Sequence, residues 1–163
     1  MPSDADSPLD IKFAHRHFAI NCFNLAWTYI DRSDRSLEDD EAMVIASAAS
    51  LWHWTQREDC SPQNLSIGHW QLSRAYALAG QGDNAMRHAV RSLEFAAGGP
   101  PFYVGYGHEA AARAASLLFD GPTFQDQLAR AAALLASIDD ATERLALQQD
   151  LESLTPPFNR PHG

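Results

Sequence analysis

Cysteine is nearly absent from this chain. The two that occur, Cys22 and Cys60, stand far apart and form no C-x-x-C pair, so neither a zinc ribbon nor a dithiol redox centre is indicated. Cationic residues are also scarce: 12 Lys and Arg against 21 Asp and Glu leave a formal charge of −9. Such a chain lacks the electrostatic footprint of a nucleic-acid binder, and an anionic membrane repels it. No apolar run approaches the roughly 20 residues that span a bilayer. The opening MPSDADSPLD has neither the basic nor the apolar region of a secretory signal, so the cytoplasm is the expected compartment. Catalytic motifs are missing too: there is no G-x-S-x-G, no glycine-rich phosphate loop and no metal-spaced His/Cys cluster. His108-Glu109 opens an H-E-x-x-H, but Ala112 stands where the second histidine must be. The chain is therefore expected to be no enzyme and to need no cofactor or metal.

What is present is helical periodicity. With 45% hydrophobic and 20% charged residues in 163, a single folded domain is expected. Apolar stripes and breakers divide it into about seven helices, roughly 8–31, 37–57, 62–80, 83–97, 101–119, 123–137 and 140–154, with a tail over 155–163. Ser7-Pro8 and Ser61-Pro62 read as a serine cap followed by proline at the first helical position. Ser36 opens the second helix, whose acidic first turn Glu38–Glu41 suits the positive end of the helix dipole. Its body, Met43 to Trp54, is apolar or small nearly all round, which predicts a central, buried helix. Asp83, the pair Thr123/Asp126, and Asp139 or Asp140 are the expected caps of the later helices. Gly105 and Gly107 are expected to weaken the start of the fifth by about 1 kcal/mol each.

The most regular stretch is Leu65 to Ala97, read as two helices folded back across Gly80-Gln81-Gly82. Leu65, His69, Leu72, Tyr76 and Ala79 form one stripe, and Ile67, Trp70, Arg74 and Leu78 a second beside it, so the first helix is expected to be sandwiched between neighbours or to have one face in a core and one in a groove. Ala85, Ala89, Ser92 and Ala96 make a small-residue stripe that lets two backbones approach closely. Leu72, Tyr76, Gly80, Ala85, Ala89 and Leu93 resemble a tetratricopeptide repeat. The chain departs from that pattern at His69, Ser73 and Gly82 and lacks the terminal proline. More broadly, Asn24-x-x-Trp27, the SLWHW run from Ser50 to Trp54, and Trp70-x-x-Ser73-Arg74 are similar to small uncharacterised bacterial proteins of tetratricopeptide-like architecture. The resemblance implies an all-α fold of stacked antiparallel hairpins, a right-handed solenoid or bundle closed by a C-terminal capping helix.

It also implies a role in protein–protein interaction or scaffolding, with a peptide or partner helix held in a concave groove. The groove positions it implies are Ile67, Trp70, Arg74, Ala77 and Leu78. Trp70 and Arg74 are residue types enriched in binding hot spots, or else Trp70 fills the core and Arg74 pairs with one of the many acids. A small-molecule pocket built from Asn21, Asn24, His53, Trp54, Trp70 and Arg74 is the alternative. His53, between Trp52 and Trp54, serves there as a tunable contact, or otherwise sits as a hydrogen-bonded core histidine. The polar stripe His17, Asn21, Asn24 and Thr28 lines a groove or pairs with neighbouring helix ends. A third expectation is a structural homo-oligomer, whose sign is an exposed apolar patch.

Overall fold

The reasons for the helix starts lie mostly in the residues just before them. In the computed structural model, which describes residues 10–157, Ser36 and Ser61 each accept the backbone N–H of the residue three further on. Asp39 and Asn64 return the bond, and each pair closes a capping box. Asp10, Asp120 and Asp140 cap three more helices through their carboxylates. Seven α-helices and no strand result among the described residues: α1 Ile11–Ile30, α2 Leu37–Thr55, α3 Pro62–Leu78, α4 Gly82–Ala96, α5 Pro101–Leu117, α6 Gly121–Leu134 and α7 Ala141–Glu152. A single 3₁₀ turn, Leu135–Ser137, extends α6. The all-α expectation holds, and none of these helices is long and apolar enough to cross a membrane.

The differences from the sequence reading are local. Asp10 is the cap of α1 rather than a first-turn acid; the expected Ser7-Pro8 start and the end of the tail, 158–163, lie outside the described residues. Helix α4 begins at Gly82 behind Gln81, which makes no side-chain cap, and Asp83 sits inside its first turn. Asp120 caps α6, taking the Thr123 N–H, while Asp126 pairs with Arg130 instead.

Small residues decide how the helices meet. Ala26, Met43, Ala46 and Ala75 join α1, α2 and α3; Ala89, Ala110 and Ala111 join α4 to α5; Ala112, Ala115 and Phe124 join α5 to α6. Such short side chains bring helix axes to the close end of the usual 8–10 Å range. At that distance buried hydroxyls reach across to backbone carbonyls. Ser50 donates to Ala19 O (2.7 Å), Ser73 to Ala85 O (2.8 Å), and Ser66 and Ser92 each to the other's carbonyl (3.1 and 3.0 Å). The Gln71 amide donates to Phe23 O at 2.9 Å and ties α3 to α1. These bonds satisfy the buried hydroxyls and the Gln71 amide nitrogen, though not its buried oxygen, and they fix helix register as apolar contacts do not.

Helix α5 packs against α3, α4, α6 and α7, and α3 against α1, α2, α4 and α5. Helix α3 thus lies between neighbours, with Ile67, Trp70, Arg74 and Leu78 of its second stripe half-buried. The expected burial of α2 fails: one side, Met43, Ala46, Ser47, Ser50 and Leu51, is buried, but Ile45 is 60% and Trp52 54% exposed. Met43, Leu51 and the small residues between them pack inward, leaving Ile45 and Trp52 outside.

Candidate functional site

The face shared by α1, α3 and α5 carries two hollows that meet at Ile67. The larger, about 300 Å³ and half-open, is lined by Ser66, Ile67, Trp70, Ser92, Phe102, Tyr103 and Tyr106. The smaller, about 150 Å³, is lined by Ile20, Phe23, Asn24, Trp54, Asn64 and Ile67. Aromatic rings join the three helices across this face. Trp27 lies 5.7 Å from Trp70, and Trp70 lies 5.0 Å from Tyr106 in an edge-to-face arrangement.

Beside the larger hollow the charges pair among themselves. The Arg74 guanidinium reaches Asp150 of α7 at 3.3 Å, and the other Asp150 oxygen accepts the Tyr106 hydroxyl at 2.9 Å. Glu109, fully buried, is held by Arg113 Nε at 2.8 Å and accepts the Trp70 indole N–H at 3.3 Å. Burial opposes the charge on Arg74, but the fields of Glu109 and Asp150 outweigh it and raise its pKa. Burial, then the Asp150 charge and the hydrogen bond to it, pushes the Tyr106 hydroxyl well above its ordinary range, so it stays a donor. The cluster is electrically matched, and removing one member strands its partner in a poorly solvated place.

The sequence-predicted residues separate into groups. Ile67, Trp70, Trp54 and Asn24 line the two joined hollows. Trp54 is covered on one face by the Arg57 guanidinium, 4.1 Å from the ring centroid. Arg74 takes the internal alternative, paired with Asp150 and 5.9 Å from the ring centroids of both Trp27 and Trp70. Leu78 and Ala77 lie further along, in a separate depression with Arg113, Ser116 and Leu154. His53 and Asn21 are elsewhere. His53 meets His15 through their Nδ1 atoms at 2.9 Å, beside Phe18 and Trp52, and burial and that neighbour lower its pKa. The exposed Asn21 amide is bonded to His17 Nε2 at 2.8 Å, and Thr28 to Leu25 O at 2.7 Å, so most of that polar stripe is satisfied locally.

The structure thus does not gather the six-residue pocket into one place. Sequence reasoning missed Phe102, Tyr103, Tyr106, Glu109 and Asp150. Phe102 and Tyr106 do lie on the apolar stripe of α5, and that was their only signal. No group of three or more His, Cys, Asp or Glu able to hold a metal occurs among the described residues. No protein-family model, curated protein or solved structure matches the chain.

Proposed function

We propose that this protein is a binding module that takes an extended peptide or a partner helix along the face of α1, α3 and α5. The observation that carries the reading is the pair of half-open hollows that share Ile67 and between them reach α1, α3 and α5, apolar in lining. A site made for one small molecule is normally a more enclosed concavity with convergent polar groups.

Reading the fold as tetratricopeptide-like supports the same surface. The pairs α1/α2, α3/α4 and α5/α6 are then antiparallel hairpins of a right-handed stack, with α7 as its cap. The packing has the order such a stack requires: α2 packs on α3 and α4 on α5, first helices touch first helices, and α2, α4 and α6 make no mutual contacts among the described residues. Positions recur from one hairpin to the next, Gly68, Arg74 and Gly82 returning as Gly107, Arg113 and Gly121. In this arrangement α1, α3 and α5 line the concave side.

Selection from a random peptide display library tests the proposal. Peptides with apolar anchors are expected to be enriched on the wild type and lost on Trp70→Ala and Ile67→Asp, with helical circular dichroism unchanged. Enrichment that survives both substitutions overturns it. A second reading, self-association, is favoured by one observation: Ile11, Phe18 and Leu25 on α1, and Ile45 and Trp52 on α2, recur every seventh residue and are all exposed.

A further inference from the structure

The walls of the larger hollow say more than that it is apolar. Four of its seven lining residues are aromatic, and consecutive rings stand nearly at right angles. Phe102 meets Tyr103 at 77° and Tyr106 at 81°, with centroids 5.2 and 5.0 Å apart, and Tyr106 meets Trp70 at 65° and 5.0 Å. The rings come from both sides of the space, Trp70 from α3 and the other three from α5, and an aromatic face carries the negative part of the quadrupole.

Two of the rings are enriched further. The Tyr106 hydroxyl donates to Asp150 and the Trp70 indole N–H donates to Glu109. A donor polarised by a carboxylate returns electron density to its ring. No cationic side chain lines the hollow, since the nearby Arg74 and Arg113 are spent on those same carboxylates. The floor is closed by Ser66 and Ser92, whose hydroxyls are satisfied by each other's carbonyls. The volume, about 300 Å³, is at the small end of ligand sites and suits a compact head group. The net charge of −9 favours a cation over an anion at long range.

We propose that this hollow is an aromatic cage for a quaternary ammonium group. The proposal rests on the reading of this face as the binding surface and names the chemistry of the anchor it takes. The carrier is a peptide bearing a trimethylated lysine, because the smaller hollow beyond Ile67 offers its flanking residues an apolar seat that a free choline-like molecule does not need.

The test uses peptides identical but for one side chain: trimethyl-lysine, or its uncharged isostere with a tert-butyl head. Choline and its neutral isostere 3,3-dimethylbutan-1-ol form a parallel pair, and binding is read by calorimetry and tryptophan fluorescence. The charged peptide is expected to bind about five-fold or more tighter than the neutral one, the size of a desolvated cation–π contact. Tyr103, half-buried and outside the ion-pair cluster, is the wall to change, and Tyr103→Leu is expected to bring the charged-to-neutral affinity ratio close to one. Equal binding within both pairs, peptides and free head groups alike, overturns the cage and leaves the groove reading intact, as an apolar socket. Discrimination by choline without discrimination by the peptides overturns the peptide carrier. Binding of none of the four overturns the cage, while the peptide-display selection still decides the groove separately.

Discussion

At the scale of single residues, the seam between α3 and α4 holds a column of four rings, Tyr76, His88, His69 and Phe95. Consecutive rings are 14°, 24° and 10° from parallel. The two imidazoles meet through their Nδ1 atoms at 2.9 Å, so one must donate and the other accept; protonating both sets two donors against each other. Burial first, then the charges of His88 and Arg91, lowers the His69 pKa to about 4, with Glu94 opposing. His88 is lowered as well, by burial and by Arg87 and Arg91. Between pH 6.5 and about 4 the unfolded chain therefore binds a proton that native His69 refuses. The contribution is complete above pH 6.5 and is lost as pH falls toward 4. Thermal melts across that window are expected to show a falling midpoint in the wild type and a shallower fall in His69→Phe, which keeps the stack without the titrating group. An equally steep fall in the variant places the acid sensitivity elsewhere. The sequence showed His69 on a core stripe but not its partner, because periodicity fixes the face of a helix and not its register against the next. The same limit hid Asp150 as the partner of Arg74: the residues are far apart in the chain, and only packing of α7 brings them together.

At the scale of helices, most of the secondary structure was legible because its signals are local. Ser36, Ser61-Pro62 and Asp140 start helices by their own side chains, and Gly80 ends α3 by adopting φ 75°. What was not legible is where a helix start or a glycine is set by a neighbour. Gly105 and Gly107 count as weaknesses in an isolated helix, yet each is a point of close approach. A Cβ at 105 would stand 2.5 Å from one methyl of Leu147, with the next atoms at 3.8 Å, so a rotation of that side chain relieves it. A Cβ at 107 would stand 2.7 and 2.9 Å from two Leu93 side-chain atoms, one of them the branching Cγ, so turning a methyl does not relieve it and the whole side chain must shift. Gly107→Ala is therefore expected to lower stability by about 1–3 kcal/mol, the range of overpacking, against an intrinsic helix gain of about 1 kcal/mol. Gly105→Ala is expected to cost less. Urea denaturation of the two variants measures the order, and a rise in the midpoint for Gly107→Ala refutes the close-packing argument for the α4–α5 contact.

At the scale of the whole molecule, the chain's own packing leaves an apolar stripe on α1 and α2 uncovered. Ile11 is 64% exposed, Phe18 45%, Leu25 48%, Ile45 60% and Trp52 54%. The pairing of Ser50 with Ala19 shows that the two helices run side by side along it, and Phe18, 5.3 Å from His53, links the two rows. The charges at its two ends are paired within the chain, Lys12 with Glu58 and Asp39 and Asp40 with Arg32 and Arg35, so the uncovered surface between them is apolar. A second copy related by a two-fold axis across the middle of the stripe would bury both apolar rows, as an isologous contact requires. A lasting dimer of this kind needs about 1,200 Å² or more of total buried surface. Light scattering on the eluting protein at micromolar concentration is expected to give the mass of a dimer, and Phe18→Glu with Trp52→Glu that of a monomer. Because the two substitutions lie outside the hollows at Ile67, peptide binding by the monomer is expected to be unchanged. A wild type that elutes as a monomer at every concentration rules out self-association. A dimer indifferent to both substitutions moves the interface off α1 and α2, and leaves the exposed stripe to be covered by a different partner.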